Sequence, residues 1–157
     1  MIFKQWRQVL NGTKTQTRRL RGNRDVFDMM MCKEPFRDTV FRKGVVKWQV
    51  GRTYACQRPD GKTMGRTPPL RKIRRERLGD ISDADCYAEG ILEVEVLDPL
   101  LRRLAHYPYH LVCPLCDGAY ETPQSAYACL WDCCGGRWEN DQNDDTWVLG
   151  FESGSGL

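Results

Sequence analysis

Residues 45–61 read VVKWQVGRTYACQRPDG. Val45 to Val50 is a β-branched and aromatic run, Gly51 a turn, Thr53 to Gln57 a second run, and Pro59-Asp60-Gly61 a second turn. β-Branched and aromatic side chains suit a pleated, half-buried surface, whereas Gly and Pro-Asp-Gly supply turn dihedrals. Leu70 to Arg77 repeats the strand pattern. Several short strands at this spacing predict a small mixed β-barrel.

Working outward toward the N-terminus, Phe3, Trp6, Val9 and Leu10 recur at helical spacing before Asn11-Gly12, which predicts an amphipathic helix over residues 2–11 with Trp6 as a core anchor. Thr13 to Leu20 suits an edge strand or extended loop that leaves its polar groups available. Residues 21–43 read as a long connection with a short strand near Val40, and Met29-Met30-Met31 as packing.

Toward the C-terminus, Ser82 with Asp85 resembles a capping box and Gly90 is a helical stop, which predicts a helix over residues 83–89. That helix carries Glu89 in its last turn, the end where the helix dipole disfavours an acid. Leu92, Val94 and Val96 alternate as in a strand, although the pattern also permits helix into Leu100–Leu104. Ser125 to Asp132 reads as a helix and Trp147 to Glu152 as a closing strand. Strands and helices without regular βαβ alternation give an α+β class, with helices flanking the barrel. Residues 1–152 are expected to form one domain, with 105–135 as a cysteine-bearing insertion and helix and 153–157 as a frayed tail.

The chain has 157 residues, 41% of them hydrophobic, which suffices for one core. Its apolar residues come in short blocks, none near the roughly 18 that a membrane span needs. Lys4 and Arg7 interrupt the N-terminus, unlike a secretion signal, so the expected location is a reducing cytoplasm without structural disulfides. The net charge of +3 is divided unevenly. Residues 1–24 hold Lys4, Arg7, Lys14, Arg18, Arg19, Arg21 and Arg24 without an acid, and residues 62–77 hold Glu76 alone against a run of bases. From Asp117 onward Arg137 is the only base. Such blocks suit an anionic partner such as RNA, or a solvated face.

The sharpest motif is Gly12-Thr13-Lys14-Thr15-Gln16-Thr17-Arg18-Arg19, directly after the first helix. It resembles the signature of ASCH domains. Val50-Gly51-Arg52-Thr53-Tyr54-Ala55, then Ile73-Arg74-Arg75-Glu76-Arg77-Leu78 running to Ala88-Glu89-Gly90, then Leu130-Trp131 with Trp147-Val148-Leu149-Gly150-Phe151-Glu152 follow in the family's order. The likeness is greatest to the small ASCH proteins of bacteria and bacteriophages. It implies a PUA-like barrel around a cleft, RNA binding in general, and in some members hydrolysis of RNA or of cytidine acylated on its exocyclic amine. In the amidohydrolase branch the catalytic positions correspond to Lys14, Thr17 and Glu89.

These residue types fit that chemistry, because a threonine hydroxyl needs a neighbouring base, and lysine serves when burial or nearby cations lower its pKa. Residues three apart on a regular strand face opposite ways, so Lys14 and Thr17 converge only across a bend or bulge. As a binding surface, Lys14, Thr15, Arg18, Arg19, Arg66 and Arg74 would contact phosphates while Trp48, Tyr54 or Tyr87 stacks on a base. The leading expectation is an RNA- or modified-nucleoside-binding module with a basic cleft; the alternative is a hydrolase, either the amidohydrolase or a ribonuclease, working through Lys14, Thr17 and Glu89. A plainer reading also stands, in which Lys14 and Arg18 hold phosphate, the threonines satisfy the backbone, and Glu89 pairs with an arginine.

Cys113-Pro-Leu-Cys116 precedes Cys129 and Cys133, the spacing of a structural zinc site. Two cysteines four apart on a helix share a face, so Cys113, Cys116, Cys129 and Cys133 form a complete ligand set, with Cys134 and His110 in reserve. The competing reading buries Cys129 and Cys133 as ordinary apolar residues. Four thiolates leave no open position, so a metal here would be structural rather than catalytic.

Overall fold

The computed structural model describes residues 1–28, 37–95 and 109–151. The Met29–Met31 run, the segment 96–108 and the tail after Phe151 lie outside them. The chain order is α1 (Trp6–Leu10), β1 (Gln16–Leu20), β2 (Asp25–Asp28), β3 (Thr39–Arg42), β4 (Val45–Gln49), β5 (Ala55–Gln57), β6 (Thr63–Arg66), β7 (Leu70–Arg77), α2 (Asp83–Ala88), β8 (Leu92–Glu95), β9 (Tyr109–Val112), β10 (Ala119–Tyr120), α3 (Pro123–Cys133), α4 (Trp138–Asp141) and β11 (Asp145–Phe151).

The architecture is α+β, but the predicted PUA-like barrel is not formed. The described strands divide among four antiparallel sheets in the orders β1-β11-β7, β2-β3-β4, β10-β9-β8 and β5-β6, and none closes on itself. Closure requires a continuous ladder from last strand to first. Here β1 and β7 are the two edges of the sheet centred on β11, and bulges interrupt the β3–β4, β5–β6 and β7–β11 pairings. The site segment is nonetheless an edge strand, as its sequence predicts, with Thr17 opposite Leu149 on β11.

Burial forms two clusters. One joins Phe3, Val9, Val40, Trp48, Leu70, Ile73, Trp147, Leu149 and Phe151. The other joins Leu78, Ile81, Cys86, Ile91, Leu111, Tyr127 and Leu130 beneath α2 and α3. Trp6 only flanks the first cluster, because α1 is a single short turn and not the longer helix predicted. The expected strands near Val40, at 45–50, 53–57 and 70–77 are present in shortened or equal form, the Leu92–Val94–Val96 alternation gives β8 with Val96 outside the described residues, and β2, β6, β9 and β10 add to them.

Both predicted caps form. The Ser82 side chain accepts from the Asp85 N–H to start α2, and Gly90 follows it with φ of 100°. Thr122 and Ser125 make a reciprocal capping box at α3 with Pro123 in the first turn, so the helix begins earlier than Ser125. Among the described residues no helix is long and apolar enough to cross a membrane.

Candidate active site and metal cluster

Lys14 precedes β1, where the chain turns from α1 into the strand. Its N–H bonds the Gln8 carbonyl at 2.9 Å, and the next N–H, of Thr15, bonds the Ala88 carbonyl at 3.0 Å. The first bond ties the motif back to α1, and the second docks it against the C-terminal end of α2. Lys14 lies outside the regular strand, so the three-residue spacing no longer separates it from Thr17, and both line one cavity.

Glu89 completes the group from the other side. Its carboxylate Oε2 lies 2.7 Å from Lys14 Nζ, and its Oε1 accepts from Arg18 at 3.3 Å. Its backbone carbonyl accepts from Lys14 Nζ and, at 3.2 Å, from Gln5 Nε2. The helix end that disfavours an acid thus carries two cations, which offset the dipole and the carboxylate together. Lys14, Arg18 and Glu89 are 4%, 3% and 3% exposed.

Arg18 extends the network behind the cavity. It reaches Asp85 at 2.9 Å and Glu76 at 3.2 Å, and Arg74 bridges the same two carboxylates. Burial opposes the Arg18 charge, but Glu89, Tyr127 and Glu76 outweigh it and raise its pKa. Burial likewise opposes the Asp85 carboxylate, yet the Arg18 hydrogen bond and charge hold its pKa below the usual range. Three cations, Lys14, Arg18 and Arg74, therefore face three anions, Glu76, Asp85 and Glu89. The buried Arg18 Nε has no partner among the described residues, so the guanidinium is held for its carboxylates and not by full satisfaction of its donors.

The cavity, about 400 Å³, lies between the two core clusters. Phe3 walls it from one cluster, and Tyr127 and Leu130 from the other, with Trp131 beside them. Burial, then the nearby Glu89 charge, pushes the Tyr127 phenol well above its ordinary pKa, so it stays a neutral ring in the wall. Small-molecule pockets start at about 300 Å³, and this volume falls within their range.

The other predicted contacts scatter. Arg19 lines the cavity, lies over the Phe3 ring at 5.1 Å, and donates to the Ile2 carbonyl. Arg66 is elsewhere, bonded to Thr53, and Arg74 lines a second hollow with Phe27 and Trp147. Thr15 serves through its backbone. Of the proposed stacking rings, Trp48 is buried and Tyr54 accepts from the Gln49 N–H at 2.7 Å, which leaves only Tyr87 of the three exposed. Sequence reasoning passed over Phe3, Tyr127 and Trp131 as site residues. A signal for the last two existed, because Tyr127, Leu130, Trp131 and Cys134 fall at i, i+3, i+4 and i+7 on α3 and its cap.

Cys113, Cys116, Cys129 and Cys133 converge, their sulfurs all within 4.8 Å of one another, into a cluster capable of coordinating a metal ion. Cys113 and Cys116 flank the β9–β10 turn, where Asp117 takes φ of 58° and its N–H bonds the Cys113 carbonyl at 3.0 Å. Cys129 and Cys133 come from α3. The Gly118 N–H lowers the Cys116 thiol, while burial pushes Cys113 up to about 12. The reserve ligands Cys134 and His110 stand outside the cluster, and Cys134 lines the cavity instead.

Comparison with protein-family models, with curated proteins and with solved structures found no match.

Proposed function

We propose that the protein is a small amidohydrolase that deacylates a nucleoside-sized substrate, with cytidine acylated on its exocyclic amine as the substrate class. The observation that carries this reading is the buried Lys14–Glu89 pair, 2.7 Å apart, in the wall of a cavity that Thr17 also lines. It keeps the ASCH resemblance for the site residues and the substrate class, without the barrel.

In this mechanism Thr17 Oγ1 attacks the acyl carbonyl carbon and gives its proton to the Glu89 carboxylate of the Lys14–Glu89 pair. The carbon–nitrogen bond breaks, and the pair returns the proton to the departing amine. Water then splits the threonyl ester, releasing the acid and restoring the hydroxyl. Arg18 fixes Glu89 from behind and makes no step of its own. A phosphate cradle is the weaker reading of the same residues, because the Lys14 and Arg18 charges are already matched by carboxylates within the fold.

The cysteine cluster we assign to structural zinc. A tetrahedral Zn–S bond of about 2.3 Å sets sulfurs about 3.8 Å apart. The Cys116–Cys129 and Cys129–Cys133 sulfur separations are 3.4 and 3.9 Å.

The test is chromatographic detection of cytidine released from N4-acetylcytidine. Thr17→Ala is expected to lose about a hundredfold or more in rate, and Lys14→Met a similar amount, with Thr17→Ser retaining part of it. An unchanged rate in Thr17→Ala, or no release by the wild type, overturns the reading.

A further inference from the structure

We propose that metal at the four cysteines positions the wall of the cavity, so that the cysteine cluster and the candidate active site work as one unit through α3. The inference rests on the zinc assignment above.

One helix serves both places. At 100° per residue, Tyr127, Leu130, Trp131 and Cys134 form a stripe on one side of α3, and Cys129 and Cys133 lie roughly 130° around the axis from its centre. The first set lines the cavity and the second belongs to the thiol cluster. The two faces meet at the end of the helix, where the ligand Cys133 adjoins the cavity residues Cys134, Gly135 and Gly136.

That end is built closely, and its described bonds run within α3, to α4 and to Lys4. The N–H groups of Cys134, Gly135 and Gly136 bond the Leu130, Asp132 and Trp131 carbonyls at 2.9, 2.9 and 3.1 Å. Gly136 lies so near the Trp131 indole that a Cβ there would stand 2.1 Å from its Nε1. Lys4, itself a cavity residue, donates to the Cys133 carbonyl across the gap. A helix terminus frays unless tied down, and Cys133 is the residue through which a metal would tie it to the β9–β10 turn. The Trp131 indole is tied to Asp141 at 2.9 Å and the Trp138 N–H to Asp132 at 2.7 Å, and a metal at Cys133 would add the tie that fixes the Cys134–Gly136 turn against the β9–β10 side.

The decisive experiment compares zinc-loaded wild type with Cys116→Ser and Cys116→His. Cys116 is exposed and does not line the cavity. Zinc content is measured on each protein, together with hydrogen exchange at the Cys134, Gly135 and Gly136 amides and at Val148 and Leu149 of β11 as remote controls. Cys116→Ser is expected to exchange about tenfold faster at the three helix-end amides with the controls unmoved, and Cys116→His, which keeps four ligands, to return toward wild type. With N4-acetylcytidine the expected signature is a raised KM in Cys116→Ser with kcat within about twofold, since the wall binds but does not react. Equal exchange in zinc-loaded wild type and zinc-free Cys116→Ser overturns the coupling while the zinc assignment survives. Wild type that takes up no zinc overturns both. Faster exchange at the controls as well reduces the effect to general destabilisation and overturns the coupling. A response in exchange without any hydrolysis supports the coupling and removes only the proposed function.

Discussion

The ASCH resemblance named Lys14, Thr17 and Glu89 as one set, but nothing in the local sequence pairs them, since Lys14 and Glu89 stand 75 positions apart. Asp25 shows the opposite case, a residue with no sequence signal and a central role. Its fully buried carboxylate accepts from Arg42 at 2.6 Å, Lys47 at 3.2 Å, the Gly22 N–H at 2.9 Å and the Trp147 indole at 3.2 Å. Burial works to raise its pKa, and the Arg42, Gly22 and Lys47 contacts outweigh burial and lower it below the carboxylate range. A folded-state pKa below the unfolded one means that Asp25 stabilises the fold fully above the unfolded value, about 4, and loses that contribution as pH falls toward the folded one. Asp25→Asn should therefore cost about 3 kcal/mol at pH 7 and flatten the acid limb of the stability profile. Urea unfolding from pH 7 down to pH 2 measures both, and parallel profiles for variant and wild type would contradict this role.

At the scale of elements, helix starts were easier to read than strand partners. Ser82 and Gly90 mark α2 because caps satisfy orphan backbone groups locally, within a few residues. The α3 start was placed late, at Ser125, although Thr122 and Ser125 make a capping box with Pro123 in the first turn. Removing that cap in Thr122→Ala should cost about 1 kcal/mol. At the other end of α3, Gly136→Ala should cost more, about 2–3 kcal/mol, because its Cβ meets the rigid Trp131 indole, which is itself tied to Asp141 at 2.9 Å. Thermal melts of the two variants give the order, and a Gly136→Ala protein more stable than Thr122→Ala would refute the close approach. Strand pairing escaped local reading. β11 lies between β1 and β7, more than 65 residues from either in the β1 ladder and in the Asp145–Arg77 pair, and nothing in a strand's own alternation names its neighbour. The barrel failed on that point, since most strands were recognised, β2, β6, β9 and β10 were not, and closure was assumed.

For the whole molecule, the uneven charge along the chain becomes pairing in space. The basic first part of the sequence meets acids from later segments: Lys14 and Arg18 meet Glu89, Arg18 meets Asp85 and Glu76, and Arg21 and Arg75 meet Asp145. The charge count along the chain treats these cations as free for phosphate; only the plainer reading, with Glu89 paired to an arginine, anticipates the neutralisation that Arg18 shows. Association with single-stranded RNA releases about 0.7 counterion per phosphate contacted, so the slope of log K against log salt counts the cations that reach the strand. With its interior cations committed, the protein should bind a single-stranded RNA weakly, with a slope of about −2 or shallower. Titrations of one labelled oligonucleotide at several salt concentrations measure it. A slope of about −5 would mean that Lys14, Arg18 and their neighbours leave their carboxylates for phosphate, and the cavity would then have to be understood as part of an RNA surface.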